Sequence, residues 1–178
     1  MSRISLVDPA DTTPDRKAIL SDIHAAFGAT PNMFKAMANS PAALKSMWGA
    51  FRALGAGVIP AKLGEQIAVA VANRNACEYC LAAHTALGRK AGASSQEMSS
   101  AQVGTSDDPK AAAAIGFALK VVEGRGQIAD ADTAVLRNAG FDDVAIVEIL
   151  AHVALNLFTN YVNVALDVPV DFPAVKLR

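Results

Sequence analysis

The sequence of 178 residues predicts an all-α fold, and three observations support this prediction. Apolar residues recur every three or four positions in segment after segment, which is the period of a helix with one buried face. No run of about four to eight residues alternates apolar and polar side chains with β-branched enrichment, as a half-buried strand would. Alanine is abundant while aromatic residues make up only 6%, and this composition favours close-packed helices over sheets.

Three helices are predicted near the start of the chain. The first ends at Gly28, and a short second helix is predicted over 31–38. Ser40 caps the third, Pro41 takes its first helical position, and this helix ends near 55–57. The apolar stripes of the first and third helices are formed by Ile19, Leu20, Ile23 and Phe27, and by Leu44, Met47, Trp48, Phe51 and Leu54, respectively.

Start and stop signals place the remaining helices. Pro60 begins a helix that runs toward Arg74, and the next helix is predicted over 76–91, before Gly92. A capping box at Ser94 and Glu97 begins a short helix. The next helix runs from Asp108-Pro109 to Gly124, and another from Asp130 or Asp132 to Gly140. The last, long helix runs from Asp142 to Asp167, ahead of Pro169. We interpret 1–178 as one helical domain in which 1–14 and 168–178 are extended arms.

Charge and composition exclude several classes of partner. The 16 Lys and Arg residues are balanced by 17 Asp and Glu residues, so the chain lacks the basic excess that binds nucleic acid. The uncharged stretch 149–166 holds too many polar side chains for a lipid-facing span, so no membrane partner is expected. The first residues lack the apolar core of a signal peptide, which predicts a cytoplasmic protein. Hydrophobic residues make up 52%, and this excess predicts covered subunit interfaces in a homo-oligomer.

The two cysteines lie in the most informative segment of the chain. At about 100° per residue, positions i, i+3 and i+7 share one helix face, so Cys77, Cys80 and His84 line up. Side chains tilt toward the helix N-terminus, which places the imidazole over Cys80. If the neighbouring helices form a hairpin that turns around 73–75, Glu65 lies abreast of His84, because both are about 14 Å from the turn at ~1.5 Å rise per residue.

These four side chains suit thiol redox chemistry, in which the thiolate is the nucleophile. His84 can take the thiol proton, and Glu65 can orient and stabilise the resulting imidazolium. Cα atoms one helical turn apart are separated by about 5–5.5 Å, so one cysteine can resolve a sulfenic acid on the other. The spacing leaves open which one attacks: Cys77 is nearer the helix N-terminus, whereas Cys80 is nearer the base. We give the specific base more weight than the helix dipole, so that Cys80 attacks and Cys77 resolves.

Other interpretations of the same residues remain open. A pair of cysteines on a helix can be two small core residues, and a buried histidine is usually only a hydrogen-bonded one. The same four side chains are possible zinc ligands, although three of them on one helix would be unusual for structural zinc. We expect neither a metal nor a cofactor. Covalent haem needs a histidine directly after the second cysteine, and residue 81 is Leu.

Glu65, Cys77, Cys80 and His84 are separated by eleven, two and three residues. This spacing resembles the signature of the AhpD-like alkylhydroperoxidases of the carboxymuconolactone decarboxylase superfamily. The resemblance is strongest over 60–92, and the ending HVALNLFTNYVNVALDVPVDFP is similar to the peroxidase-related branch. It implies a single AhpD-like all-helical domain whose two-helix hairpin carries the CxxC site. It further implies a thiol-dependent peroxidase of organic hydroperoxides, in which Cys80 attacks, Cys77 closes the disulfide, and Glu65 and His84 relay the proton.

The resemblance also implies an antioxidant role, a trimeric or hexameric assembly and re-reduction by a dithiol or a lipoylated protein. One position departs from the best-known members, which have a second histidine between the cysteines, where this chain has Tyr79. A phenol is mostly protonated at neutral pH and cannot replace a histidine base. The alternatives are a redox relay or sensor that uses the Cys77–Cys80 pair, and a decarboxylase-like enzyme that uses Glu65 and His84. The decarboxylase branch generally lacks the cysteine pair, which argues against the last.

Two further groups of residues have both a functional and a structural interpretation. The last predicted helix carries a polar stripe of His152, Asn156, Asn160 and Asn163, with Glu148 one turn earlier. The stripe can border the thiol pocket or bind a polar substrate group. The alternative is hydrogen bonding between helices in an oligomer core, and we favour this alternative. Side chains that could line a hydroperoxide pocket, but whose helical spacing favours an ordinary core, are Met37, Met47, Trp48 and Phe51.

Overall fold

The computed structural model describes residues 2–178, and nine α-helices are present in this part of the chain. They are α1 (Pro14–Phe27), α2 (Asn32–Met37), α3 (Pro41–Gly55), α4 (Ala61–Arg74), α5 (Glu78–Lys90), α6 (Ser95–Gln102), α7 (Pro109–Glu123), α8 (Asp130–Asn138) and α9 (Asp143–Leu166). None of residues 2–178 lies in a β-strand. The predicted all-α class is therefore confirmed.

The centre of the fold is the hairpin formed by α4 and α5. Helix α4 contacts α5, α6, α7 and α9, and its Ile67 and Val71 are fully buried. Helix α6 comes close to α5 at Gly88, where an added Cβ would lie 2.5 Å from the end of the Met98 side chain. Because α4 is enclosed by four helices, the residues along it have well-defined neighbours.

Capping explains where α5 begins. The prediction that this helix covers 76–91 is wrong at its start, since α5 begins at Glu78. Ala76 adopts a left-handed backbone with φ 52°, and Cys77 is extended and forms the N-cap. Such a change of backbone conformation interrupts a helix, so Cys77 precedes α5 instead of lying on it.

The other capping predictions have mixed outcomes. Asp142 caps α9 by accepting a hydrogen bond from the Ala145 N–H at 2.9 Å, and the capping box of Ser94 and Glu97 is present. The prediction that Asp130 or Asp132 caps α8 is wrong, because Ala129 occupies the N-cap. Asp132 lies in the first turn instead, where its Oδ2 accepts a hydrogen bond from the Ala129 N–H at 3.0 Å. An acidic side chain in the first turn satisfies a free N–H group as a capping residue does.

Both terminal segments are extended and lie on helices of the same chain. Near the N-terminus, the Val7 N–H donates to the Lys35 carbonyl of α2 at 3.1 Å. At the other end, the Arg178 N–H donates to Asn73 Oδ1 at the end of α4 at 3.0 Å. Within the C-terminal arm, before Arg178, Phe172 packs edge-on against Tyr79, with ring centroids 5.8 Å apart. The C-terminal arm therefore passes directly over the start of α5.

Helix α9 has one face in the core and one apolar face that is exposed. The large apolar residues of the exposed face are Val144, Val147, Leu150, Phe158, Tyr161 and Val164. By length and composition alone, α9 is also the one helix in residues 2–178 that could cross a membrane, with a mean hydropathy of 1.4. A buried helix of a globular protein passes the same test, and the opposite face of α9 is buried against α4, α5 and α7. The homo-oligomer stays a prediction.

Candidate active site

The two cysteines form a disulfide directly before and within the first turn of α5. Their Cα atoms are 5.4 Å apart, within the range expected from the sequence spacing. The residues are 1% and 2% exposed, respectively. The Cys80 N–H donates to Cys77 Sγ at 3.2 Å, so Cys77 is the cap of α5. Its sulfur thus lies at the positive end of the helix dipole, a position that favours negative charge.

The predicted acid–base pair is formed across the α4–α5 hairpin. Nδ1 of His84 and Oε2 of Glu65 are 2.7 Å apart, and their side chains are 12% and 22% exposed. The hairpin turn thus brings residues 19 positions apart face to face, as the count of residues from the turn predicted. When the carboxylate accepts from Nδ1–H, the neutral ring carries its lone pair on Nε2. His84 then has one nitrogen held by Glu65 and one nitrogen available as a base.

Asn163 of α9 contacts the attacking sulfur that the sequence predicts. Its Nδ2 donates to Cys80 Sγ at 3.2 Å, and the residue is 3% exposed. Asn163 thus borders the thiol pocket, which is the functional interpretation of the polar stripe, and the same contact joins α9 to α5. Asn160 joins α9 to the end of α4, since its Oδ1 accepts from Asn75 Nδ2 at 2.9 Å. The oligomer core stays a prediction. Asn156 bonds within its own helix, to the His152 carbonyl at 2.8 Å.

A narrow apolar cavity of about 30 Å³, open to solvent at its mouth, adjoins Cys80 and His84. We call it the Cys80 cavity, and its lining is Phe27, Pro31, Met33, Phe34, Phe51, Tyr79, Cys80, Ala83, His84, Leu87, Thr159, Asn163 and Phe172. Of the four residues that the sequence offered for such a pocket, Phe51 lines it. Met37 and Met47 are buried in the core, and Trp48 packs against Phe34 with ring centroids 5.9 Å apart. The lining is mostly apolar, with Tyr79, His84, Thr159 and Asn163 as its polar residues, so the cavity suits an apolar ligand.

Tyr79 lies between the two cysteines and takes part in packing. Its hydroxyl accepts a hydrogen bond from the Met33 N–H at 3.2 Å. Burial raises the pKa of Tyr79 above its usual value, so the phenol stays protonated at neutral pH. This agrees with the expectation that Tyr79 does not replace a histidine base.

His152 of α9 is a further histidine close to Glu65. An added Cβ on Gly64, the residue before Glu65, would lie 3.3 Å from His152 Cε1. Burial lowers the pKa of His152 below its usual 6.5, so the ring is neutral at neutral pH. Its Nε2 is buried without a hydrogen-bond partner among residues 2–178. His152 therefore adds no positive charge that would compete with His84 for the Glu65 carboxylate. The same part of the chain contains no group of three His, Cys, Asp or Glu side chains arranged to hold a metal ion.

The contact between Asn163 and Cys80 leads to a prediction. In a Cys77→Ser background, Asn163→Ala is expected to shift the pH midpoint of Cys80 alkylation by iodoacetamide upward by about one unit. A hydrogen bond to a charged group is worth roughly 1.5–3 kcal/mol, and one unit corresponds to about 1.4 kcal/mol. Asn163→Asp keeps the size but loses the donor, so it is expected to shift the midpoint at least as far.

The matched control for this prediction is Asn156→Ala. It removes another buried asparagine of α9 whose amide donates to the His152 carbonyl and not to a sulfur. The alkylation midpoint of this control is expected to equal that of the Cys77→Ser parent. Equal midpoints for Asn163→Ala and the parent would show that the amide does not stabilise the Cys80 thiolate.

Comparison with known protein families and structures places this geometry among related proteins. The model of the carboxymuconolactone decarboxylase family matches residues 40–123, which include Glu65 and the whole CxxC segment. No curated protein matches the chain significantly.

Solved structures show that the fold extends over nearly the whole chain. A peroxidase-related protein from Ralstonia eutropha JMP134, described as an alkylhydroperoxidase AhpD core, is 26% identical with a TM-score of 0.87, and the alignment covers 96% of this chain and 92% of that one. A peroxidase-related protein from Silicibacter sp. TM1040 is 27% identical with a TM-score of 0.81, covering 98% and 92%. The debrominase Bmp8 in complex with 2,3,4-tribromopyrrole is 22% identical with a TM-score of 0.79, and the alignment covers 96% of this chain and 94% of that one. This likeness concerns the fold alone. The predicted AhpD-like fold is confirmed.

Proposed function

We propose that this chain, whose residues 40–123 match the carboxymuconolactone decarboxylase family and whose fold is AhpD-like, is a thiol-dependent peroxidase that reduces organic hydroperoxides. The observation that carries the proposal is the Cys80 cavity. Cys80 and His84, the latter bound to Glu65, both line this one apolar space. A nucleophile and its base facing a common cavity is the arrangement that covalent redox catalysis needs.

The first step is attack of the Cys80 thiolate on the outer oxygen of the hydroperoxide. An S–O bond forms and the O–O bond breaks, which oxidises the sulfur to a sulfenic acid. The alcohol leaves after its oxygen receives a proton, and His84 supplies the proton that it took from the thiol. Glu65 holds the ring through Nδ1 and stabilises its positive charge in between. Asn163 donates to the sulfur and stabilises its negative charge before attack.

The second step closes the disulfide. Cys77 attacks the sulfenic sulfur of Cys80, an S–S bond replaces the S–O bond, and water leaves. The Cα separation of 5.4 Å lets this happen without a large movement of the backbone. The form of the site described above corresponds to the product of this step. A dithiol, either free or carried as a lipoyl group on a protein, then returns two electrons and restores both thiols.

The lining of the Cys80 cavity supports organic hydroperoxides over hydrogen peroxide. Phe27, Phe34, Phe51 and Phe172 surround the space in front of the sulfur. An alkyl or aryl group gains by leaving water for this lining, at roughly 25 cal/mol per Å² of apolar surface, whereas hydrogen peroxide has no such group. The substrate class that we propose is therefore a hydroperoxide with an apolar substituent.

A direct test uses the reduced protein and one equivalent of cumene hydroperoxide. We expect the intact mass to fall by two hydrogens as the disulfide forms, and the rate to exceed that with hydrogen peroxide under the same conditions. Iodoacetamide labelling before and after the reaction shows whether both thiols are lost together. Unconsumed hydroperoxide, or a mass gain from oxygen on methionine with both thiols intact, would contradict the proposal.

A second candidate is reductive removal of halogen from an aromatic ring. The observation that favours it is again the phenyl-rich lining of the Cys80 cavity, together with the shared fold of the debrominase Bmp8. In that reaction the Cys80 thiolate would take bromine from the ring as the carbon gains a proton, and Cys77 would then displace bromide to form the disulfide. Release of bromide from a bromopyrrole by the reduced protein distinguishes this reaction from peroxide reduction.

A further inference from the structure

The two cysteines of the disulfide line two different openings. The Cys80 cavity touches Cys80 and does not include Cys77 among its lining residues. A second depression of about 290 Å³ is lined by Cys77 and does not include Cys80 among its lining residues. We call it the Cys77 groove, and its lining is Ala76, Cys77, Glu78, Tyr79, Asn163, Val164, Asp167, Val168, Pro169 and Val170. Tyr79 and Asn163 line both spaces and form part of the wall between them.

We propose that the reducing dithiol enters through the Cys77 groove and attacks Cys77, while the hydroperoxide enters through the Cys80 cavity. This inference rests on the proposed function in assigning the groove to a reductant. It goes beyond that function by naming a second binding surface and the sulfur that is attacked.

The surroundings of the two sulfurs support attack at Cys77. In thiol–disulfide exchange the nucleophile approaches one sulfur along the S–S axis and the other sulfur leaves as a thiolate. A thiol in the groove meets Cys77, so Cys80 is the leaving sulfur. Asn163 Nδ2, 3.2 Å from Cys80 Sγ, stabilises the negative charge that develops there. The leaving thiolate also forms on a cysteine that shares the Cys80 cavity with His84. The ring can protonate this thiolate, or the thiolate can stay ionised until the next hydroperoxide binds.

The exchange balances in two steps. The first thiolate of the dithiol forms a bond to Cys77 Sγ as the Cys77–Cys80 bond breaks, which leaves a mixed disulfide at Cys77 and a thiolate at Cys80. The second thiol of the reductant loses its proton and attacks its partner sulfur, so that Cys77 is released as a thiolate that takes up a proton. The reductant becomes a cyclic disulfide, and two electrons reach the protein.

The charges of the groove indicate which dithiols fit. Glu78 lines the groove and is exposed, so it places a negative charge at the opening. Like charges repel across a shallow opening, so an anionic thiol is disfavoured there relative to a neutral or cationic one. The occupant we propose is therefore the thiol end of a neutral or positively charged dithiol, and glutathione with its carboxylates fits poorly.

Chemical trapping tests which sulfur is attacked. The protein is oxidised with diamide, so that the test runs whether or not hydroperoxide is a substrate. Cysteamine, a cationic monothiol, is then added, and the reaction is stopped with N-ethylmaleimide at acidic pH. Fragment spectra of the peptide are expected to show cysteamine on Cys77 and maleimide on Cys80. Cysteamine on Cys80, or in equal amounts on both, would overturn the proposal.

Obstruction of the groove tests the entry path. Val170 lines the groove and is 42% exposed, so Val170→Trp is expected to fold and to narrow the opening. Reduction of the diamide-oxidised protein by dithiothreitol is expected to slow by about tenfold, because the attack loses its aligned approach. Val103→Trp, at an exposed valine outside both openings, is the matched control and should reduce at the parent rate. Equal rates for the two tryptophan variants would overturn the assignment of the groove.

A charge variant tests the choice of reductant. The diamide-oxidised parent protein is expected to be reduced faster by cysteamine than by glutathione. In Glu78→Gln, the ratio of these two rates is expected to be smaller. A parent that reacts faster with glutathione would contradict the charge argument. If the trapping, obstruction and charge experiments fail while hydroperoxide turnover is normal, only the assignment of the Cys77 groove to the reductant is refuted. If these experiments succeed but the protein does not turn over hydroperoxide, the peroxidase function is refuted instead.

Discussion

Replacing Cys80 with serine is expected to lower hydroperoxide reduction by at least about 10³-fold, to the level of the uncatalysed reaction. A serine hydroxyl is not ionised at neutral pH and cannot accept the peroxide oxygen as a sulfur does, so the nucleophile is lost outright. Losses of this size are typical when a catalytic nucleophile is removed. The measurement is consumption of cumene hydroperoxide with dithiothreitol as reductant, compared with the parent protein at equal concentration.

Cys77→Ser is the matched variant, since it removes the neighbouring sulfur and leaves the one in the Cys80 cavity. It is expected to consume one equivalent of hydroperoxide and then to retain a sulfenic acid, which dimedone traps on Cys80. Cys80→Ser is expected to give no dimedone adduct. If dimedone instead labels Cys77 in the Cys80→Ser protein, the roles of the two cysteines are exchanged. Circular dichroism shows whether each variant retains its helices.

The acid–base pair could be predicted from sequence because it depends on local geometry. Glu65 lies nine residues before the end of α4 and His84 six residues after the start of α5, so the helical rise places them at the same level to within about one turn. The same reasoning missed the N-cap role of Cys77, because the left-handed backbone of Ala76 has no clear signal in the sequence. A non-glycine residue with positive φ is uncommon, so the simplest expectation continued the helix through it.

Contacts between distant segments set the rest of the site. Four polar residues of α9 have nearly equivalent spacing, and only the angle at which α9 crosses α5 decides that Asn163 meets Cys80. The lining of the Cys80 cavity likewise combines Phe27 from the end of α1, Phe34 from α2 and Phe172 from the C-terminal arm. Helix packing angles have only weak sequence signals, so these residues could be listed as apolar but not placed.

Removing the charge of Glu65 is expected to be the next most damaging change after the loss of Cys80. In the protein, Glu65 Oε2 lies 2.7 Å from His84 Nδ1 and holds the ring with its lone pair on Nε2. Glu65→Gln keeps the size but removes the negative charge that stabilises the imidazolium, and its amide can also favour the wrong tautomer. General acid–base catalysis contributes roughly 10²–10⁴-fold, so we expect oxidation of Cys80 at neutral pH to slow within that range.

The experiment is a single-turnover measurement of the oxidation rate of the reduced protein across pH. Because Glu65 and His84 act as one unit, His84→Gln and the double variant are expected to lose about as much as Glu65→Gln alone, and not the product of the two losses. The pH dependence of the oxidation rate is a second check. A rate that depends on a base becomes less dependent on pH when the base is removed, so the rate of His84→Gln is expected to vary less with pH than that of the parent. Glu123→Gln, at a glutamate that pairs with Arg74 on the surface, is the control and should match the parent rate. An oxidation rate of Glu65→Gln within about twofold of the rate of this control would mean that the cysteine pair reacts without help from Glu65 and His84.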